Sequence, residues 1–364
     1  MTGKTGTRLK RLFFLGRPFS PLYSLLMKTR SSFYQKGFFK QHKLEVPVIS
    51  VGNLVIGGTG KTPLVQYIVK LLQQQNRKPA ILSRGYKGTA ADAINVVSNT
   101  TDILLNAAEA GDEPRLLAEK LPGVPVVTGK KRFFTGRFAI DSFGADTLIL
   151  DDGFQHLALK RDLNLVLFSN LKGLGKGRVL PGGELREPLS ALKRASAFVI
   201  TGITASPDST AKKFISQLDN LYPEKPLFTA SYQADKDLLR IHNGKNDSIS
   251  QADAGKIPLY SFCGIAGPES FKMTLEENGM NLTGFREFAD HHIYSAADIK
   301  SLLDQARNSG AEGLVTTEKD LVKLRSIFPP EMLLLVQPVQ LHLPEAFDRF
   351  IISNLSANLN PDDK

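Results

Sequence analysis

The chain has 364 residues, 42% apolar and 23% charged, so it is long enough for two domains and a sizeable core and is neither a disordered nor a fibrous composition. A single cysteine, Cys263, excludes an internal disulfide and suits a reducing compartment, and no apolar run reaches the roughly 18–20 residues of a membrane-spanning helix. The net charge of +10 excludes an acidic, solvating chain, and it is placed unevenly.

Residues 1–44 carry Lys4, Arg8, Lys10, Arg11, Arg17, Lys28, Arg30, Lys36, Lys40 and Lys43 and no acid; the other 36 basic residues are matched by 36 acidic ones. The body is therefore neutral and the excess sits on an N-terminal arm. Leu12–Leu15, Phe19, Leu22, Leu25, Leu26, Phe33, Phe38 and Phe39 are mixed with those cations, and Pro18 and Pro21 interrupt them. Clustered apolar residues beside cations read as an interfacial segment on anionic lipid. A helix packed on the body and a basic arm for nucleic acid are the competing readings. A signal peptide fits poorly, because no small-residue cleavage site follows.

Val48, Ile49, Val51 and Leu54 predict a buried strand, and Leu64, Val65, Ile68, Val69, Leu71 and Leu72 recur at helical spacing. Between them runs Val55, Ile56, Gly57, Gly58, Thr59, Gly60, Lys61, Thr62, Pro63. Strand, glycine loop and helix make a phosphate cradle, because backbone N–H groups turn inward and the helix N-terminus adds positive potential. Lys61 is the side chain for β/γ-phosphates and the Thr62 hydroxyl for Mg²⁺. The strict motif has glycine where this chain has Val55, and glycine-rich turns also occur without ligands.

Pro79–Leu82 predicts a second strand, ending in Ser83-Arg84-Gly85-Tyr86-Lys87-Gly88, either a phosphate contact or an exposed turn. Gly111-Asp112-Glu113-Pro114 precedes a helix over 115–120, and the residues alone make Asp112 and Glu113 capping acids. Val124–Val127 is a strand. Thr147–Leu150, ending in Asp151-Asp152-Gly153-Phe154-Gln155-His156, is the second half of a phosphate-loop site, where carboxylates at a strand's C-terminal edge hold Mg²⁺. Two adjacent acids are costly without a cation. After the strand Leu163–Phe168, the Gly-, Lys- and Arg-rich run from Gly173 to Pro188, with Arg186 and Glu187, reads as a mobile lid or a solvated loop. Phe198–Thr201 completes a βα alternation that predicts a mostly parallel sheet.

Within 226–250, Asn243-Gly244 is a hairpin turn and the segment reads as a two-stranded linker. Beyond it come strands near 257–262, 284–288, 313–316 and 333–336, and helices over 269–278, 295–309 and 344–355, with a frayed tail over 358–364. Asp290-His291-His292 offers a proton relay beside an acid, or a solvated pair.

Taken together these stretches resemble the tetraacyldisaccharide 4′-kinases of lipid A synthesis. The resemblance rests on Ser50–Leu54 with Gly57–Pro63, Ser83–Tyr86, Gly111–Pro114, Asp151–His156, Leu180–Pro188, Phe262–Ile265, Asp290–His292 and Thr316–Asp320, in family order across nearly the whole chain. It implies transfer of the ATP γ-phosphate, with Mg²⁺, to the 4′-hydroxyl of a tetraacylated glucosamine disaccharide 1-phosphate at the cytoplasmic face of a Gram-negative inner membrane. It implies Asp112 as base with His291 as its proton-relaying partner. Lys61, Thr62, Asp151, Asp152, Gln155, His156, Arg186 and Glu187 match the family's ATP, metal and transition-state residues, Glu187 among the metal group. It also implies two α/β/α sandwich domains, the first P-loop NTPase-like, joined by a two-stranded β linker. The expected divisions are 1–44, 45–225, 226–254 and 255–364. The arm resembles a membrane-associating segment; nucleic acid and an obligate protein partner are not expected. The rival reading is a P-loop switch or assembly ATPase acting on a protein.

Overall fold

The computed structural model describes residues 12–170, 173–203 and 207–357. Of the arm's cations, Lys4, Arg8, Lys10 and Arg11 lie outside the described residues, as does the expected frayed tail.

Residues 12–16 are helical and lead through a 3₁₀ turn, Arg17–Phe19, into α1, Ser20–Gln35. The first sheet follows, with β1 (Val48–Asn53), α2 (Lys61–Gln74), β2 (Pro79–Ser83), β3 (Asn95–Ser98), α3 (Asp112–Lys120) and β4 (Val126–Thr128). It continues with α4 (Arg132–Phe143), β5 (Thr147–Asp151), β6 (Leu163–Ser169), β7 (Ala197–Thr201), α5 (Ser209–Leu221) and β8 (Leu227–Ala234). The second sheet is built from β9 (Asp237–His242), β10 (Lys245–Ser250), β11 (Leu259–Cys263), α6 (Pro268–Glu277), β12 (Leu282–Glu287), α7 (Ala296–Asn308), β13 (Gly313–Thr317), α8 (Glu318–Leu324) and β14 (Leu334–Gln337). The chain then returns through β15 (Val339–His342) to α9 (Glu345–Ala357).

The nine-stranded sheet has the order β15-β8-β7-β6-β1-β5-β2-β4-β3, parallel except for its two edge strands. β1 is central, between β6 and β5, and its inner residues have no exposure. Alternation sends Ile49 and Val51 to the face covered by α2 and α3, and Val48 to the face covered by α4. Both faces are thus dry, which is why these strands read as continuous apolar runs. The six-stranded sheet runs β10-β9-β14-β13-β11-β12.

The segment 226–254, expected as one two-stranded linker, is divided between the sheets. β8 extends the parallel nine-stranded sheet, whereas β9 and β10, turned at Asn243-Gly244, form an antiparallel edge of the six-stranded one. The backbone crosses between sheets at Ala234–Asp237 and again at Gln337–Val339. After the second crossing β15 pairs with β8, and Phe347, Ile351 and Leu355 of α9 pack with Val65 and Ile68 of α2. The last residues thus belong to the first sheet's core, because an apolar stripe at i, i+4, i+8 finds its partner there.

Candidate active site

β1 delivers the glycine loop to the middle of the sheet's C-terminal edge. Gly57 and Gly60 take φ of 106° and 82°, the left-handed conformation that side chains disfavour. A Cβ at Gly60 would also collide with the Tyr232 hydroxyl. Asn53 braces the loop, its amide donating to Gly57 O at 3.2 Å and to Thr59 Oγ1 at 3.0 Å. The Thr201 hydroxyl donates to Thr59 O at 3.0 Å. Lys61 and Thr62 open α2, and Thr62 is buried. Val55 and Ile56 have another job: Val55 bridges to Leu185, and the Ile56 N–H donates to Glu184 O at 2.9 Å.

The register of β1 against β5 sets Asp151 beside Val51. Its Oδ2 accepts from Ser83 Oγ at 3.2 Å, while Oδ1 is buried with no partner. Burial first, then the negative charges of Glu113 and Asp152, push the Asp151 carboxyl up. Asp152, at φ 53°, turns the other way. It accepts from Arg186 Nη1 at 2.7 and 3.0 Å and pairs with Lys61 Nζ at 3.6 Å. Burial opposes ionisation of Asp152, but the charges of Lys61 and Arg186 outweigh it and hold this carboxyl low. Two neighbouring acids thus diverge: one is neutralised by cations, and the other is an orphaned buried oxygen suited to a cation.

Thr62, Asp151 and Asp152 fit a magnesium ion on that ground. No three His, Cys, Asp or Glu side chains among the described residues form a metal cage. A sparse oxygen set suits Mg²⁺, which keeps water and phosphate ligands. Glu187, expected with this group, is turned elsewhere: it is buried, Oε2 accepts from Arg194 Nη2 at 2.9 Å, and Oε1 has no partner.

The expected mobile lid is pinned. Leu185 bridges to Val55 and Val179, and the Arg186 N–H donates to Leu54 O at 2.8 Å. α1 also holds this loop, since Ser20 Oγ donates to Val179 O and accepts from Gly182 N, both at 2.9 Å, and Tyr23 Oη donates to Arg186 O at 3.3 Å. Glycine and charge content suggested mobility, but Leu185, Val179 and Leu174 are buried with Phe154.

Asp112 is the first residue of α3, with Gly111 as N-cap, so it is not the capping acid its position suggested. Its Oδ1 accepts the neighbouring Glu113 N–H at 3.2 Å, and its Oδ2 meets His291 Nδ1 at 2.7 Å across the two sheets. Burial pushes Asp112 up, but the His291 hydrogen bond, with the charges of Lys319 and Lys323, outweighs it and holds this carboxyl low. His291 takes φ 59° and is brought there by the loop after β12. His292 instead meets Asp298 at 3.2 Å, inside the second sheet's layer.

A cavity of about 290 Å³ lies between the sheets, lined by the loop 58–62, Tyr232, Ile265, Ala266, Phe271 and Lys319 among others. Apolar walls over a phosphate cradle suit a purine base. Gln155 and His156 lie outside that lining. The Gln155 side-chain amide donates to Asn53 O at 2.9 Å, and the Gln155 backbone carbonyl accepts from Arg30 of α1. Burial, then the charges of Arg132, Arg161, Arg30 and Arg84, pull the His156 imidazole down to about 4, so it is neutral amid converging cations. Sequence reasoning missed the convergence of those arginines, the lining from Tyr232 and Ile265, and the place of Lys319; Arg84 stood in a stretch read as a phosphate contact or an exposed turn, and Ile265 and Lys319 in motifs that gave them no role.

A sequence profile described as Tetraacyldisaccharide-1-P 4′-kinase matches residues 12–356. A tetraacyldisaccharide 4′-kinase of Desulfotalea psychrophila is 43% identical over 346 residues, 95% of this chain and 97% of the relative. One from Syntrophus aciditrophicus is 40% identical over 312 residues, 84% and 83% of the two chains. A crystal structure of LpxK from Aquifex aeolicus in complex with ATP superposes with a TM-score of 0.72 at 33% identity, covering 93% of this chain and 98% of that one.

Proposed function

This chain belongs to the tetraacyldisaccharide 4′-kinase family, and from that premise we infer how its own residues perform the reaction. The enzyme transfers the γ-phosphate of ATP to the 4′-hydroxyl of a tetraacyldisaccharide 1-phosphate, a step of lipid A synthesis. The observation that carries the mechanistic reading is the 2.7 Å contact from Asp112 to His291, made by two separate sheets beside one phosphate loop.

The glycine loop and Lys61 bind the triphosphate, and Arg186 adds a second cation at the transferred group. Thr62, Asp151 and Asp152 would hold magnesium, which would supply neutralisation of phosphate charge there. Asp112 orients the sugar 4′-hydroxyl and accepts its proton at Oδ1 or Oδ2 as the oxygen attacks phosphorus. His291 keeps that carboxylate ionised and aimed. Glu187 anchors the Arg186 loop through Arg194. Arg30, Arg84, Arg132 and Arg161 give the acceptor's anionic head a positive basin.

Acyl chains keep this substrate at a bilayer, and α1 suits that setting. Its polar residues Ser20, Tyr23 and Arg30 face the body, while Leu22, Leu25 and Leu26 are more than half exposed. No helix among the described residues is long and apolar enough to cross a membrane. The arm therefore lies on the cytoplasmic leaflet as an interfacial anchor.

The test is transfer of label from γ-labelled ATP to the acylated disaccharide in detergent. Wild type should label the lipid, and Asp112→Asn should lose about 10²–10⁴-fold in kcat with ATP affinity kept within about threefold. Release of free phosphate alone would favour the switch ATPase, and equal losses in kcat and ATP affinity would remove the base role.

A further inference from the structure

We propose that Lys319 is a positioning residue that fixes His291 in the neutral form with its proton on Nδ1, so that the ring donates to Asp112 and leaves that carboxylate free to receive the sugar proton. The inference rests on the base role of Asp112 given above.

Lys319 Nζ lies 3.1 Å from His291 Nε2 and 3.2 Å from Asp290 Oδ1, and 3.8 Å from Glu113 Oε1. An ammonium group has donors and no acceptor, so a contact of 3.1 Å requires Nε2 to be the acceptor. The one ring proton then belongs on Nδ1, which points at Asp112 Oδ2. A doubly protonated ring would set an N–H against the ammonium and is disfavoured by like charge. Left without the lysine, Nε2 would face Glu113 and Asp290, each 3.9 Å away, which favour protonation there. Lys87 completes the surroundings, but it donates only to the His291 carbonyl. The two acids thus favour a proton on Nε2, and the Lys319 ammonium, which can only donate, opposes it there.

The local structure supports a placement made for function. Lys319 is the second residue of α8, where a cation opposes the helix dipole. That first turn is nonetheless rigid. Thr317 caps it, its hydroxyl donating to Asp320 Oδ2 at 2.7 Å, and the buried Asp320 also accepts the Gly264 N–H at 2.9 Å. The loop carrying His291 is tied to the same point through His291 N–H and Gly264 O at 3.2 Å. Histidine and lysine therefore move as one unit when they meet Asp112. A local preference broken on a rigid frame marks a functional position.

The experiment is ¹⁵N NMR of the full chain in detergent at neutral pH, with labelled histidine and His291 assigned by its loss in His291→Gln. Wild type should show Nδ1 protonated and Nε2 as a bare acceptor. In Lys319→Met the two shifts should converge, and kcat should fall about tenfold or more with ATP affinity within about threefold. Lys319→Arg should restore part of the loss. A wild-type ring protonated on Nε2 overturns the proposal, as does a Lys319→Met protein with unmoved ring shifts and full kcat. The wild-type tautomer is read without substrate, and only the assignment of the His291 signal uses a variant. A wild type that labels no lipid defeats the kinase reading and leaves this measurement standing.

Discussion

Asp151 and Asp152 are neighbours in sequence with opposite electrostatics, and the difference follows from which cations each can reach. Asp152, swung out by its positive φ, rests on Lys61 and Arg186. Asp151 stays in the strand, where burial and the charges of Glu113 and Asp152 push its carboxyl up to about 7. The stability consequence has a definite sign. The unfolded carboxyl titrates near pH 4, so between there and neutrality the folded state holds a proton the unfolded state has lost. Stability therefore falls as pH rises through that window and stays reduced above it. Asp151→Asn removes the penalty. By thermal unfolding the nucleotide-free variant should melt a few degrees above wild type at pH 8, a gain on the order of 1–3 kcal/mol, and the gap should close by pH 4. With ATP and Mg²⁺ the order should reverse, because wild type alone offers the orphaned oxygen to the cation. A variant that gains nothing at pH 8 would mean that Asp151 is not strained by its surroundings. The adjacent acids were legible in the sequence as a costly pair, but their division of labour was not, because the backbone angle at Asp152 has no sequence signature beyond tolerance of that angle by aspartate.

At the scale of elements, α1 is a brace as well as the anchor proposed above. Its contacts with Val179, Gly182, Arg186 and Gln155 mean that deleting it would disturb the Arg186 loop as well as any lipid contact. The cleaner test leaves Ser20, Tyr23 and Arg30 in place and replaces Leu22, Leu25 and Leu26 with serine. Each fully withdrawn leucine is worth about 1.5–3 kcal/mol of apolar burial, so sedimentation with anionic vesicles should fall by at least tenfold while activity on detergent-dispersed acceptor stays within about threefold. Unchanged sedimentation would assign the exposed leucines to some other surface. Clustered leucines and cations set the expectation of an interfacial arm; its bracing role was not legible, since Ser20 and Tyr23 gain meaning only from residues some 160 positions away. The same limit explains other differences. β3, over Asn95–Ser98, is a four-residue edge strand without a long apolar run, and α8 is a seven-residue helix whose acids and lysine resemble a loop. The central strands were plain because both their faces are buried.

For the molecule as a whole, the order of strands was legible as βα alternation, but the way the chain crosses twice between its sheets was not. Periodicity describes one element at a time, whereas the return of β15 and α9 to the first sheet is decided by pairing with β8 and packing on α2. The crossings leave the two sheets joined by short segments at one side and by side chains at the other. Those side chains are two ion pairs between α3 and the helix α8 with its C-cap, Lys120 with Glu318 and Glu119 with Arg325, and the Asp112–His291 hydrogen bond from the loop after β12. The nucleotide cavity is lined from both sides, so its shape and the Asp112–His291 contact depend on the same closure. Reversing one outer pair tests that dependence without touching Asp112 or His291. Glu318→Lys sets two cations together; a half-buried pair is worth about 1 kcal/mol, which corresponds to roughly fivefold in kcat/KM for ATP. Lys120→Glu alone should cost a similar amount, and the double swap should recover most of it, giving a coupling term that single-site damage does not produce. High salt should shrink both single losses because the pairs are partly exposed. Additive losses in the double variant would show that α3 and α8 do not work as a clasp, and the closure that delivers His291 would then have to come from the crossing strands.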